Sequence, residues 1–434
     1  MSKKNNWFFP ALFAGLLFPG STWSIENDDV YSAWLDNWDL VFMEALPQEP
    51  EFNDYLSLLA SQSPELRARF YQWQAAEEKK TSVGSWSDPQ LRVSTALEPV
   101  VTAQGPQSMR IGLSQLIPRP LELRSASEAQ EYLAQASYTE LQTHLNDLTL
   151  DLKSVYAQTY LLDQKLEIQK QTKLLLTNWQ EVLLARYRSA SASHPDLVKT
   201  QLELLSLDDQ IQKTQVDREN SLDDLRVLLN LEPGSVLRAP TSLENLTITD
   251  SSENPRVLHQ QANLNAAKSG EAVAKSKTRP QFILGMDWTI VGSSDLVNPS
   301  LEAGKDALAL NIGMSLPVWG RKNKAVKASA RSIRLAHEAK YEALTRDLSL
   351  RRIQVGRELE DADRRIKLLE QSLIPKSQEA YEVLEIAYSA GNADLLSLID
   401  AVENLLDYQL QLVEAKVIKW QTQARLDHLK GSIR

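Results

Sequence analysis

Cysteine is absent from all 434 residues. That absence excludes disulfides, thiolate metal sites, cysteine nucleophiles and an N-terminal lipid anchor built on cysteine. Past the N-terminus, no segment carries roughly 18 uninterrupted apolar residues, so no transmembrane helix is expected. A chain without one can still enter a membrane as a closed β-barrel. The chain also lacks a basic excess. Its formal net charge is -10, which argues against a nucleic-acid partner because phosphate binding needs a basic face. Catalytic constellations are missing too. The five histidines (His144, His194, His259, His337 and His428) are scattered. They form no helical metal pair, no serine sits in a nucleophile-elbow setting, and no glycine-rich loop could cradle a phosphate. No catalytic residue, metal site or cofactor is expected, and the chain does not read as an enzyme.

The N-terminus shows a targeting pattern. Lys3 and Lys4 precede an apolar run from Trp7 to Phe18, broken by Pro10, and small residues follow at Thr22 and Ser24. Residues 1–24 read as a secretory signal peptide, with a retained apolar helix as the alternative. Residues 25–62 hold Trp34, Trp38, Phe42 and Tyr55 among acidic residues. They read as an arm packed on the body.

The rest of the chain is duplicated. Pro64 opens a helical stretch and Pro89 follows 25 residues later; Pro255 and Pro280 repeat that interval. Ile111-Gly112-Leu113-Ser114 matches Ile312-Gly313-Met314-Ser315. Ser114 to Tyr187 and Ser315 to Tyr388 are both 73 residues. A period of about 190–200 residues matches no short solenoid unit. The expected domains are repeat 1 over 63–253 and repeat 2 over 254–434.

Each copy predicts two strands and a long helical hairpin. Leu91, Val93, Thr95 and Leu97 alternate with Arg92, Ser94 and Ala96. Met109, Ile111 and Leu113 alternate with Arg110, Gly112 and Ser114. In the second copy, Phe282, Leu284, Met286, Trp288 and Ile290 share one face, and so do Leu308, Leu310, Ile312, Met314 and Leu316. Successive strand side chains point to opposite faces, so each strand has an apolar and a polar side. This suits a barrel with a wet lumen, and equally a half-buried hairpin of a soluble sheet. Residues 98–108 and 292–307 are expected as the connecting loops.

Leu121 to Tyr187 contains neither proline nor glycine. Leu141, Leu145, Leu148, Leu152, Val155, Thr159, Leu162 and Leu166 follow the spacing of a coiled-coil seam. Val355, Leu359, Ala362, Ile366, Leu369 and Leu373 do so in the second copy, where Pro375 should kink the helix. Return helices are expected near 196–230 and 393–430. Each would stack end to end on a short helix (64–85 or 255–278), with one junction at 231–254 and the other where the chain termini meet.

This pattern resembles the outer-membrane factor family of bacterial efflux systems, the TolC-like proteins. The resemblance rests on the paired Pro64…Pro89 and Pro255…Pro280 pattern and the passages Leu113-Ser114-Gln115-Leu116-Ile117-Pro118 and Met314-Ser315-Leu316-Pro317-Val318-Trp319-Gly320-Arg321. The turn Tyr388-Ser389-Ala390-Gly391-Asn392-Ala393-Asp394-Leu395 completes it. It covers about residues 60–430, and the Ser-Gln-x-x-Pro passage looks most like the heavy-metal efflux branch. The resemblance implies a mixed, mainly α fold: a homotrimeric, 12-stranded outer-membrane β-barrel with four strands per subunit, continuing into an α-helical periplasmic tunnel. It implies a passive export conduit in outer-membrane lipid. The implied partners are a periplasmic adaptor and an inner-membrane pump of the resistance-nodulation-division type. The competing reading is a periplasmic adaptor or coiled-coil scaffold protein. Three departures stand out: Ala190-Ser191 where the first turn would carry glycine, followed by His194 and Pro195; the long loop at 292–307; and the aromatic arm.

The family's periplasmic gate positions fall on Asp196 and Asp400, with Asp394 as a further candidate. For Asp196 the alternative is a helix cap beside Pro195, and for Asp400 an exposed helix face. The adaptor-docking tips fall on Tyr187, Ser189 and Ala190 and on Tyr388, Ala390 and Gly391, where small residues permit close approach or merely form the turns. The expected lipid-facing residues are Leu284, Met286, Leu308, Leu310, Ile312 and Met314. Trp86 and Trp319 are expected at the inner rim, as interface or packing residues.

Overall fold

The structure is a computed structural model that describes residues 27–36, 42–48, 50–102, 104–189, 193–243, 253–293 and 303–432. The expected signal peptide, Ala190 and much of the 292–307 loop lie outside the described residues. Two short helices come first, α1 (Asn27–Asp36) and α2 (Phe52–Gln62). Then come α3 (Pro64–Gly84), strands β1 (Gln90–Thr102) and β2 (Gly105–Ile117), the long α4 (Pro120–Arg188) and its return helix α5 (His194–Leu228). A second series follows: α6 (Pro255–Lys277), β3 (Gln281–Val291), β4 (Ala307–Ser315), α7 (Gly320–Leu368), α8 (Ile374–Ser389) and α9 (Leu395–Lys430). Among the described residues, no helix is long and apolar enough to cross a membrane.

Proline and a polar cap start these helices. Ser63 accepts a hydrogen bond from the Leu66 amide ahead of Pro64, and Asn254 accepts one from the Arg256 amide ahead of Pro255. Proline in the first turn loses nothing, because its missing N–H would have no helical partner there. Glycine or asparagine ends them. Asn230, Gly391 and Gly431 adopt positive φ. The next residue then donates back into the last turn: Leu231 to Arg226, Asn392 to Ala387 and Ser432 to Asp427. This is the Schellman closure, which satisfies carbonyls that the helix leaves open.

Helix α4 runs 69 residues, or about 100 Å at the helical rise. Its seam is buried at Leu141, Leu145, Leu152, Thr159, Leu162 and Leu166. The matching long helix of the second series is interrupted. A π turn spans Leu369–Leu373, just ahead of Pro375. Proline cannot donate to the ladder and its ring crowds the carbonyl four residues back, so the widened turn is how the chain absorbs it.

The four strands form one antiparallel sheet in the order β1-β2-β3-β4. The strands are longer than the alternation predicted. Residues 98–108, expected as a loop, are mostly ladder, with Val100 opposite Gln107 and Thr102 opposite Gly105. Pro99 and a register shift after Thr95 masked the continuation. Phe282 faces Met314, Leu284 faces Ile312, Met286 faces Leu310 and Trp288 faces Leu308. Leu308, Leu310 and Ile312 are 69%, 70% and 74% exposed. β2 and β1 continue the same apolar face through Leu113, Ile111, Leu91 and Val93. On the other face Asn311 donates to Asp287, and Arg110 to Thr289. Gly112 leaves room there for the Asp287 carboxylate, which a Cβ would meet at 2.3 Å and push aside.

Among the described residues, two large apolar cores sit along the helices, with a small third one at Leu348, Val355 and Leu429. The first gathers Tyr31, Trp34, Phe52 and Tyr55 of the arm onto Leu141–Ala157 of α4, Leu222–Leu229 and Trp420. The Tyr31 and Tyr55 hydroxyls donate to the Ala60 and Arg238 carbonyls. The second joins α4 and α5 to α8 and α9 near the far end. The end-to-end junctions differ from the expected positions. The end of α5 meets the start of α3, where Asn230 donates to the Gln62 carbonyl. The end of α9 meets the start of α6, where Asn254 donates to the His428 and Leu429 carbonyls. Asn254, at the end of the expected 231–254 junction, thus meets α9 rather than α5.

Gly431 is the tightest point of the α9–α6 junction. A Cβ there would lie 2.6 Å from Pro255 Cδ and 2.8 Å from Asn254 Cα, at φ +84°. Gly431→Ala should destabilise by at least about 1–2 kcal/mol, the left-handed backbone cost alone. Gly234→Ala, at φ +80° with open space around it, should lose only that backbone part. Thermal unfolding followed by circular dichroism checks the pair; equal midpoints for the two variants would contradict the tight junction.

Candidate functional site at the hairpin tips

Both hairpins end at the same level, and each tip is built from capping residues. At the first tip Ser189 closes α4 and donates to the Arg186 carbonyl. Ser193 opens α5 and accepts from the Asp196 amide, while the Asp196 carboxylate accepts from the Ser193 amide at 3.2 Å. This reciprocal pair is a capping box, so one oxygen of Asp196 is engaged locally. The Tyr187 ring lies 5.8 Å from that of His194. At the second tip Ala390 closes α8 and Gly391 takes φ 79° with nothing within 4 Å of an added Cβ. Asp394 caps α9, accepting from the Ser397 amide at 2.9 Å. Hydrogen bonds from Ser397 hold its carboxyl below the usual carboxylate range. Asp400 stands exposed six residues further along α9.

Tyr388, one of the expected docking-tip residues, is buried in this chain. It is 6% exposed and lies edge-on to Trp179 at 5.8 Å. Arg186 covers its other face, 4.7 Å from the ring centroid. The same guanidinium donates to the Tyr388 and Ser389 carbonyls at 3.1 and 2.9 Å. A cation against the last carbonyls of α8 also meets the negative end of that helix. Arg186 thus fastens the first hairpin to the second.

About two turns above the tips, α5 and α9 bring carboxyls together. Burial, and then the neighbouring Glu203 carboxyl, push Glu403 above the usual carboxylate range. Asp400 adds to the shift, and Lys199 offsets part of it. Sequence reasoning singled out Asp196 and Asp400 and missed Arg186, Lys199, Glu203 and Glu403. Helical spacing carried a signal for three of them. Lys199 and Glu203 follow Asp196 by three and seven residues, and Glu403 follows Asp400 by three, so each set shares a helix face. Among the described residues, no group of three or more histidine, aspartate or glutamate side chains could hold a metal ion.

The chain is similar to known export proteins. The family model described as outer membrane efflux protein matches residues 251–432. The cobalt-zinc-cadmium resistance protein CzcC of Cupriavidus metallidurans is 22% identical over 180 residues, which is 41% of this chain and 40% of that relative. The match therefore spans less than half of CzcC. The fold is similar to that of CusC, at TM-score 0.75 and 16% identity, over 91% of this chain and 94% of the other. It is also similar to that of the outer membrane protein VceC from Vibrio cholerae, at TM-score 0.73 and 17% identity, over 88% and 96%. The open-state outer membrane channel MtrE of Neisseria gonorrhoeae gives TM-score 0.68 at 17% identity, over 88% and 89%. These matches bear out the resemblance read from the sequence.

Two outcomes follow from the tip geometry. Arg186→Ala should release the end of α8, raising amide hydrogen exchange across 384–392 by about ten-fold, as loss of a charge-assisted hydrogen bond implies; unchanged exchange would mean the guanidinium holds nothing. Glu403 should give a pH dependence. Its folded-state value is raised, so its contribution to stability is complete at low pH and is lost as pH rises through that value. Protection of the first turns of α9, corrected for intrinsic rate, should therefore be greater at mildly acidic pH than at neutral pH. Glu403→Gln should flatten the difference.

Proposed function

We propose that this chain is the outer-membrane channel of a tripartite efflux system, a passive conduit that performs no chemistry. The observation that carries this reading is the sheet. Its apolar face is exposed, its opposite face is polar, and its helices extend about 100 Å to one side. Water does not tolerate such a face, and lipid does. A single chain leaves β1 and β4 as open edges, which a bilayer does not tolerate either. Three copies joined β4 to β1 close a ring of twelve alternating strands, the even count that antiparallel closure needs. The two series of elements are then two fused copies of one unit, and Leu284, Met286, Leu308, Leu310, Ile312 and Met314 face the lipid.

The helices form the periplasmic tunnel, and the hairpin tips are its inner mouth. Tyr187, Ser189, Ala190, Ala390 and Gly391 are the docking surface for a periplasmic adaptor, with Tyr388 supporting it from beneath. Asp196, Asp400 and Asp394 ring the mouth, joined by Glu203 and Glu403. Like charges brought together by three-fold symmetry oppose closure and favour cations. Opening is a shift between two packings of the tip helices, stabilised by the adaptor. An inner-membrane pump, of the resistance-nodulation-division type, supplies the energy and selects the cargo. The likeness to CzcC supports metal ions as that cargo.

Electron microscopy of protein extracted in mild detergent tests the reading. A three-fold particle with a detergent belt at one end and a projection of about 100 Å is expected. A monomer, or an elongated particle without a belt, would overturn the channel and leave an adaptor or scaffold.

A further inference from the structure

From Ala307 through His337 the chain contains no aspartate or glutamate, yet it carries Arg321, Lys322, Lys324, Lys327, Arg331 and Arg334. These residues follow directly on the apolar sheet. The last β3–β4 pair is Gln281 opposite Ser315, after which Leu316, Val318 and Trp319 are all exposed, Trp319 at 72%. Lys277 and Arg279, on the approach to β3, are exposed at the same end of the sheet. Only Arg334 among the six finds an internal partner, pairing with Glu271 and Glu338. Among the described residues, Arg321, Lys322, Lys324, Lys327 and Arg331 have no ion pair.

The placement runs against helix electrostatics. The start of a helix carries a partial positive charge, so acidic residues are favoured there and basic ones are not. Helix α4, which begins at the same rim, obeys this. Glu122 sits in its first turn and pairs with Arg119, whose guanidinium also donates to the Arg279 carbonyl. Helix α7 has no acidic residue in its first turn and no side-chain cap. Its unpaired cations add to the field of the helix end, and the combination calls for an external anion. The adjoining surface is an apolar band ending in tryptophan, the arrangement of a membrane–water boundary. The phosphate groups of a bilayer leaflet lie at that boundary and attract lysine and arginine held near it.

We propose that this rim, centred on Arg321, Lys322 and Lys324 with Lys277 and Arg279, binds the headgroups of anionic phospholipids in the leaflet next to the helices. The inference rests on the channel reading of the sheet. Bound headgroups neutralise the α7 terminus and fix the depth at which the sheet gives way to helix.

The test uses the full chain reconstituted into vesicles of equimolar phosphatidylglycerol and phosphatidylethanolamine. The protein is re-extracted in mild detergent and its retained lipid is quantified by mass spectrometry. The parent should retain phosphatidylglycerol in several-fold excess over phosphatidylethanolamine. The triple variant Arg321→Gln, Lys322→Gln, Lys324→Gln should retain the two lipids nearly equally while still forming a belted trimer. A parent without enrichment, or a variant that keeps it, overturns the proposal. So does a variant that inserts but falls apart into monomers, since the cations would then be serving an acidic face of a neighbouring copy. If the parent forms no belted particle at all, the channel reading fails first, which separates the two failures.

Discussion

The organising constraint is that a polypeptide backbone cannot leave N–H and C=O groups unpaired in lipid. A four-stranded sheet with an exposed apolar face and two bare edges cannot meet it alone. The proposed three-fold closure does, and the rest of the architecture follows from that. On the side away from the helices, β1 and β2 are joined by a tight turn between Thr102 and Gly105, while β3 and β4 are joined by a longer connection. On the other side they continue into helices, whose hydrogen bonds are internal and so need no ring to satisfy them.

The change from strand to helix is also a change in what holds the chain. In the sheet, paired backbone and alternate side chains set the register. In the helices, the seam and separate apolar cores do so, two of them large. The upper core is aromatic and pins the arm through Tyr31, Phe52 and Tyr55. The lower core binds the two hairpins into one tip assembly, with Arg186 reaching across. Between them the helices are largely polar, and much of α7 is exposed on its own chain, a surface that a neighbouring copy would cover.

The sequence displayed what depends on periodicity and punctuation. The proline-initiated helices, the alternating strands and the long seam were all readable, because each repeats a local rule many times. The β1–β2 turn was misread because Pro99 and a register shift hide a continuing ladder. The stacking junctions were misplaced because they are long-range contacts between chain segments with no shared local pattern. The tip shows the same division. A cap role for Asp196 was legible beside Pro195, whereas the contact of Arg186 with Tyr388 joins residues 202 positions apart and nothing local announces it. The opposition of Glu203 and Glu403 is legible only once α5 and α9 are laid side by side.

The two hairpins also differ in continuity. Helix α4 is an unbroken rod from Pro120 to Arg188. Its counterpart carries a π turn at Leu369–Leu373, where a wider, less regular turn meets a residue that cannot donate. A rod bends evenly along its length, while a jointed one folds at its joint. A load applied at the tips would thus be carried rigidly by the first hairpin and would pivot the lower part of the second about Leu369–Pro375. Each subunit would behave as a fixed stave bearing one hinged leaf.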